Sequence, residues 1–413
     1  MTEGVATSTT SAEVGRGEAA PKEWVLLKFG EIALRGRNRR HYEALLRRNM
    51  RNAARELEPL SVRRRGGVLA VSAGERTPAL VEPLRDLLGV SLLHRAVCLP
   101  KTPEAAAACA IELLADQRGE SFAIRCRRRD KRFHLTSPEL AAYVGRAVQE
   151  ALALGVDLSE PDLEVHLEVD RHEIFAYSER IPGRGGLPVG SSGRALVLFS
   201  GGIDSPVAAF YAMKRGLRCD FVHFSGRPFT GPESIYKCYG LIRQLDRFQG
   251  DSRLFVVPFG HQQKALAGVG AGRLQIVAHR RLMVRAACAL AHREELAALV
   301  TGDCLGQVSS QTLHNLSVVE EASDLPMLRP LIGFDKQEVI GVARELGTLE
   351  LSNLPAEDCC TLFSSSLAET RAEAGALRQL EERLGLAEVV EQLLEAATLV
   401  RPASGEVRLP VQP

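Results

Sequence analysis

The sequence predicts a multidomain chain of α/β and α+β type: two small α+β units in tandem, then a doubly wound parallel sheet. Three observations carry that expectation. Strand-period and helix-period segments follow one another as β-α-β-β and then β-α-β-α-β-β up to about residue 180. The stretch 181–193, IPGRGGLPVGSSG, is dense in Gly and Pro and has no periodicity, which marks a boundary. Beyond it, strands apolar on both faces alternate with helical stretches, the pattern of a parallel sheet with helices on each side.

Taken in order, residues 1–21 are rich in Ala, Ser, Thr, Gly and Glu and lack an apolar core segment, so they predict a disordered tail and no signal peptide. Trp24–Lys28 reads as a strand. Over about 38–58, Tyr42, Leu45, Leu46, Met50 and Ala54 recur at helical spacing while arginines fill the other face. GGVLAV (66–71) reads as a strand, 78–88 as a helix and SLLHRAVCL (91–99) as a strand. A helix is expected over 103–115, a strand over 121–129, a helix over 137–153 and a hairpin within 163–177. After the boundary, strands fall near 195–199, 219–224, 253–258 and 297–301, and one amphipathic helical stretch covers about 367–397. The expected units are 22–77, 78–180 and 194–400, with 181–193 as linker and 401–413 as a tail.

A chain of 413 residues with 45% hydrophobic and 25% charged residues has the make-up of a soluble globular protein. No apolar run approaches 18 residues, which argues against a membrane span and makes the cytoplasm the expected location. Nine cysteines without a CxxC read as thiols, not as a disulfide framework, a zinc ribbon or a CxxC cluster site. The net charge of +1 conceals an asymmetry. Residues 22–135 hold 24 Lys/Arg against 13 Asp/Glu, whereas the remainder holds 28 against 38. A basic half joined to an acidic half points to a polyanionic partner for the first.

The most informative stretch is ALVLFSGGIDSPVAAFYAMKRG (195–216). A loop leaving the first strand of a parallel sheet sits at the carboxyl edge, where ligands bind. Gly201 and Gly202 let backbone amides face outward together, and the helix that follows adds its positive end. Ser200 and Ser205 supply hydroxyls at the two ends of this cradle. Asp204 would repel phosphate unless a cation lay between them, so it is read as a Mg²⁺ partner. The loop is not a Walker A motif, because G-x-x-x-x-G-K-[ST] is absent.

A hydrophobic strand, SGGIDS and a helix together resemble the PP-loop of ATP pyrophosphatases. KFGEIALRGRNRRHY (28–42), TGDCLGQVSSQTLHNL (301–316), RPLIGFDKQEVIGVARELG (329–347) and PAEDCCTLF (355–363) further resemble the tRNA 4-thiouridine synthetase (tRNA sulfurtransferase) family. The likeness runs from about residue 22 to 400. It implies a ferredoxin-like domain (22–77), a THUMP RNA-binding domain (78–180) and a PP-loop domain (194–400), without the rhodanese domain that some members carry. The implied activity is adenylation of tRNA uridine 8 by ATP, followed by sulfur transfer to give 4-thiouridine, AMP and pyrophosphate.

The resemblance places Cys359 at the family's catalytic-loop cysteine, as persulfide carrier or attacking thiol, with Cys360 as a second candidate beside it. Only a thiolate can carry sulfane sulfur. Lys336 matches the family's functional lysine, a cation suited to the phosphates or the departing AMP. The family's ATP contacts carry over onto Leu198, Phe199, His223, Phe224, Arg280 (Arg281 being the adjacent possibility), Gly302 and Gln311. Implied partners are tRNA, a cysteine desulfurase as sulfur donor, a thiamine sulfur-carrier protein and a second copy of the chain.

Three basic clusters fit the polyanion. They are RGRNRR with Arg37, Arg39 and Arg40, VRRRGG with Arg63 and Arg64, and RCRRRDKRF with Arg127, Arg128, Arg129, Lys131 and Arg132. The alternatives are another PP-loop tRNA thiolase, an amidating ligase of the GMP synthetase kind, or a non-catalytic RNA-binding protein. No amidotransferase module is visible. The joint presence of Asp204, Lys336 and Cys359 argues for catalysis.

Overall fold

The computed structural model describes residues 23–65, 67–356 and 369–402; Cys359 and Cys360 lie outside these residues. Fifteen described strands form two sheets. The first contains β1 (Glu23–Phe29), β2 (Ser61–Arg65), β3 (Val68–Ser72), β4 (Val90–Pro100), β5 (Ser121–Arg128), β6 (Gly155–Val156), β7 (Leu163–Val169), β8 (Glu173–Tyr177) and β9 (Ile181–Pro182). Its order is β2-β3-β1-β4-β8-β7-β5-β6, with β9 added to β4.

The two α+β units of the front half therefore share one sheet. The eleven-residue β4 joins them: it pairs with β1 from Glu23↔Val97 to Phe29↔Val90, and with β8 from Val97↔Ala176 to Pro100↔Glu173. Helices α1 (Arg39–Ala53) and α2 (Val81–Arg85) cover one half of the sheet, and α3 (Pro103–Ala115) and α4 (Ser137–Leu152) the other. Because strand side chains alternate, β1 sends Val25, Leu27 and Phe29 to the helices and Trp24, Leu26 and Lys28 to the opposite face. Among the described residues, no helix packs on that face. Its apolar rings lie beneath cations: Arg63 sits 4.5 Å from the Trp24 ring, Arg65 3.8 Å from Phe175 and Lys28 5.0 Å from Tyr177.

The second sheet runs β14 (Met327–Leu328), β13 (Leu299–Val300), β10 (Arg194–Leu198), β11 (Arg218–Ser225), β12 (Leu254–Pro258) and β15 (Thr398–Val400). All pairings are parallel except β12–β15. Helices α5 (Asp204–Lys214), α6 (Glu233–Gln249) and α10 (Lys336–Glu345) pack on one face, with α11 (Leu349–Ser352) beside them. The other face carries α7 (Gly260–Gly268), α8 (Gln275–Arg293), α9 (Leu313–Glu320), α12 (Ala374–Leu384) and α13 (Leu386–Glu395). From β10 the chain winds outward through β11 and later returns to place β13 on β10's other side, so a topological switch point opens between β10 and β13.

The segment 181–193 is ordered and bonded to both halves. Gly185 donates its N–H to Val90 O at 2.8 Å, Leu187 to Lys214 O at 3.0 Å and Gly190 to Gly216 O at 2.9 Å. Arg184–Asp86 (2.9 Å) and Arg215–Glu31 (2.6 Å) add ion pairs around it.

Local details depart from the sequence reading for clear reasons. The helix expected over 78–88 is a 3₁₀ turn (Gly74–Leu80) and then the short α2, because Pro78 and Pro83 interrupt the hydrogen-bond ladder. The helix expected over 38–58 ends at Ala53. The single stretch at 367–397 is two helices divided at Gly385, whose φ of +69° is left-handed. The β2 sequence SVRRR has no apolar alternation to announce a strand.

Candidate active site and nucleic-acid interface

Strand β10 ends at Leu198, and Phe199–Ile203 turn the chain into α5. Gly201 has φ +81°, and a Cβ there would stand 3.1 Å from Cys238 Sγ and 3.3 Å from Lys237 Cε. The left-handed conformation favours glycine there, and a Cβ would crowd both neighbours. The Gly202 N–H donates to Ser200 Oγ at 3.2 Å, and the Ser200 and Ser205 hydroxyls lie 3.5 Å apart. The open N-terminus of α5 thus faces the carboxyl edge of the sheet with hydroxyls at its rim, a cradle suited to phosphate oxygens.

Asp204 opens α5 and joins three loops. Its Oδ1 lies 2.7 Å from Lys336 Nζ, and its Oδ2 accepts from Gln307 Nε2 at 3.1 Å. Lys336 is the first residue of α10, where a cation opposes the helix dipole. The helix start is secured instead by Asp335, which accepts from the Gln337 and Glu338 N–H groups while Glu338 reaches back to the Asp335 N–H. Asp204 is the partner that compensates Lys336.

Beyond β13, Gly302 lies against the start of α5: a Cβ on it would stand 3.0 Å from Asp204 C and from Ser205 N. Arg280, Gln311 and Thr301 converge on Asp303, a carboxylate the sequence reading passed over. Arg280 Nη2 lies 2.6 Å from Asp303 Oδ1, Gln311 Nε2 donates to it at 3.3 Å, and Thr301 Oγ1 donates to Oδ2 at 2.8 Å. Gln311 Oε1 is buried without a hydrogen-bond partner, an acceptor held ready beside this cluster. Arg281 faces away: it is fully buried and paired with Glu381 at 2.6 Å. Of the two adjacent arginines, Arg280 belongs to the sheet edge and Arg281 to the core.

Other expected residues act as braces. His223 is buried, with Nδ1 2.8 Å from Phe199 O and Nε2 3.0 Å from Ser234 Oγ. Phe199 packs edge-on against Phe221, and Phe224 against Phe259, while Leu198 is half-buried. These side chains hold the strand ends from which the loops spring.

The seven described cysteines are buried or half-buried. Burial pushes the Cys98, Cys109 and Cys304 thiols up to about 11 and Cys126 to about 12, and raises Cys219, Cys238 and Cys288 too. At Cys304 the nearby Asp204 charge adds to burial and Lys336 opposes it. None of the seven is a thiolate at neutral pH. The chain on either side of 357–368 is tied to the site. Before it, Ser352 Oγ donates to Gly202 O at 3.4 Å; after it, Thr312 Oγ1 donates to Thr370 O at 2.8 Å.

The basic clusters divide on inspection. Arg37, Arg40, Arg127, Lys131 and Arg132 are exposed, although Arg132 pairs with Asp130 at 3.0 Å. Arg39 and Arg64 share the buried Glu43, at 2.7 and 2.8 Å, and with Arg37 and Arg40 they line an open concavity of about 610 Å³. Arg63 pairs with Glu173 at 2.8 Å. Arg128 donates to the Phe133 and Leu135 carbonyls, and Arg129 lies 3.1 Å from the buried Glu168. Burial works to raise the Glu168 carboxyl, but Arg129, Lys28 and Arg65 together hold it below the ordinary range. The sequence reading did not single out Arg47, Arg48 and Arg51, which line a further surface concavity along α1. Their signal was the arginine-filled helix face.

A doubly wound parallel sheet whose first loop is a glycine cradle without a Walker A lysine, carried behind a basic α+β half, defines a PP-loop ATP pyrophosphatase of the RNA-modifying kind. Residues 24–93 match the ThiI ferredoxin-like domain, 103–179 the THUMP domain and 190–386 the family "Thiamine biosynthesis protein (ThiI)". A probable tRNA sulfurtransferase of Nocardia farcinica is 51% identical, the match covering 93% of this chain and 95% of that one. One of Moorella thermoacetica is 40% identical over 90% and 95%. The chain belongs to the tRNA sulfurtransferase family. Among solved structures it is similar to a 4-thiouridine synthetase–RNA complex with bound ATP: TM-score 0.86, 29% identity, 92% of this chain and 99% of that one. PH1313 from Pyrococcus horikoshii, at 22% identity and TM-score 0.62, shares the fold.

Proposed function

We propose that this chain uses ATP to adenylate uridine 8 of tRNA and then replaces the activated oxygen with persulfide sulfur, giving 4-thiouridine, AMP and pyrophosphate. The observation that carries the reading is the Asp204–Lys336 pair, 2.7 Å apart at the mouth of the phosphate cradle. In the first step the uridine O4 attacks the α-phosphorus and pyrophosphate leaves. The cradle amides and Ser200 and Ser205 hold the departing phosphates, and Lys336 meets the charge that develops on them. Arg280, Asp303 and Gln311 form the polar wall between β10 and β13 where a nucleoside would lie.

Asp204 is the carboxylate at the cradle that would hold Mg²⁺, and the ion would supply positive charge opposite the pyrophosphate. In the second step the outer sulfur of a Cys359 persulfide attacks C4, the C–O bond breaks and AMP leaves. A second thiolate then attacks the Cys359 sulfur, breaking the S–S bond to release 4-thiouridine and leaving a disulfide that an external dithiol reduces. The raised thiols of the seven described cysteines support a carrier elsewhere in the chain. The bonds at Ser352 and Thr370 tie the described chain on either side of 357–368 to the site edge, which supports the reading of Cys359, with Cys360 beside it in sequence. Sulfur comes from a cysteine desulfurase, tRNA is held by the exposed arginines of the front half, and two copies of the chain act together. The place of action is the cytoplasm, and a thiamine sulfur-carrier protein is a second acceptor.

The test is direct. Purified chain with tRNA, ATP, cysteine and a desulfurase should yield AMP, pyrophosphate and 4-thiouridine by nucleoside mass spectrometry. ADP as the nucleotide product, or full thiolation by Cys359→Ala, would overturn the reading.

A further inference from the structure

Lys237 lies in the second turn of α6 and has no part in the phosphate cradle or in the Asp204–Lys336 pair. Its ammonium donates to Ser352 O at 3.1 Å and to Leu354 O at 3.0 Å, where the chain leaves the four-residue α11. A helix that short does not hold itself, and its last carbonyls lack partners within it. A cation at that end supplies the partners and suits the dipole. Ser352 in turn donates to Gly202 O, and the Lys237 stem passes 3.3 Å from where a Gly201 Cβ would stand. Lys237 therefore ties α6 to the residues that follow α11, and Ser352 ties those to the phosphate loop.

The tether is short. Cys359 comes five positions after Leu354, a reach of at most about 17 Å, and ten positions before Glu369, a reach of about 35 Å. The anchor at Leu354 is the tighter limit on where the Cys359 sulfur can go.

We propose that Lys237 is a positioning residue for sulfur transfer: it fixes the root of the Cys359 segment against the phosphate loop so that sulfur meets the activated base. The inference rests on the reading of Cys359 as sulfur carrier. Adenylation draws on Asp204 and Lys336, neither of which bonds to Lys237, so the two half-reactions should separate.

The experiment uses the full chain, a tRNA transcript, ATP, and cysteine with a desulfurase. It measures tRNA-dependent pyrophosphate release and 4-thiouridine in the same samples. Lys237→Met should lower 4-thiouridine per pyrophosphate at least tenfold while pyrophosphate release stays within twofold of the parent. Lys237→Arg, which can still donate to both carbonyls, should recover at least half of the ratio. An unchanged ratio, or both products falling in parallel in the Met and Arg variants alike, would overturn the proposal and leave Lys237 a residue of general packing. A parent chain that releases pyrophosphate yet forms no 4-thiouridine would instead overturn the reading of Cys359, and this inference with it.

Discussion

The two sheets use charge in opposite ways. At the carboxyl edge of the six-stranded sheet, every expected charged residue that the structure describes is paired with a group from another loop: Asp204 with Lys336, and Arg280 with Asp303. On the nine-stranded sheet, a cluster of like charges in sequence becomes two populations in space. Arg128 and Arg129 turn to the Phe133 and Leu135 carbonyls and to Glu168, whereas Arg127 and Lys131 remain in solvent. The difference teaches that cationic residues counted along a sequence overstate an exposed basic surface, while an ion pair at the glycine loop can be written 132 residues apart and still meet.

The strongest test of this contrast is at the Asp204–Lys336 pair. Asp204→Ala or Lys336→Met should cut tRNA-dependent pyrophosphate release by about 100-fold or more, since each removes a preorganised charge at the phosphates. The tRNA dissociation constant should stay within about twofold, read by filter binding. Next comes the division among the arginines. Arg129→Ala removes one partner of the buried Glu168, which keeps Lys28 at 3.4 Å and the Tyr177 hydroxyl at 3.1 Å, and should cost about 2 kcal/mol, read as a lowered Tm. Replacing Arg37, Arg40 and Arg127 together by Ala should leave Tm alone. It should weaken tRNA binding and flatten the slope of log Kd against log salt by roughly one for each phosphate no longer neutralised. Equal salt slopes for the two variants would erase the distinction drawn between paired and exposed arginines.

Smaller effects follow. Gly302→Ala places a methyl 3.0 Å from the backbone of Asp204 and Ser205. It should cost about 1–3 kcal/mol and raise the Kd for ATP, read by thermal shift with and without nucleotide. A pH-dependent effect is expected at Asp246 on α6, where burial raises the carboxyl from 3.8 to about 7, against the opposing Ser252 hydrogen bond. The folded chain keeps that proton through a range in which the unfolded chain has lost it, so stability falls as pH rises from about 4 to about 7. Asp246→Asn should therefore raise Tm at pH 8 and leave it unchanged at pH 4.

Much of this was legible in the residues. The helices at 103–115 and 137–152 have a threonine before the first turn and apolar residues at helical spacing, so their bounds follow from local chemistry. The SGGIDS turn announces itself because a phosphate cradle needs glycines after a buried strand. Asp303 was passed over although TGDC was in view, because its role comes from Arg280 and Gln311, which reach it from other parts of the chain. Arg128 and Arg129 looked like RNA contacts because sequence records charge and not direction.

By itself the sequence determined the order of elements and the glycine loop after β10, since those depend on periodicity, turn chemistry and local spacing. Only tertiary structure decided that β4 would fuse two units into one sheet, that Arg280 and not Arg281 would reach the site, and that Lys237 would hold the root of the Cys359 segment. Those outcomes depend on which faces are buried against distant partners, and burial is a property of the packed chain.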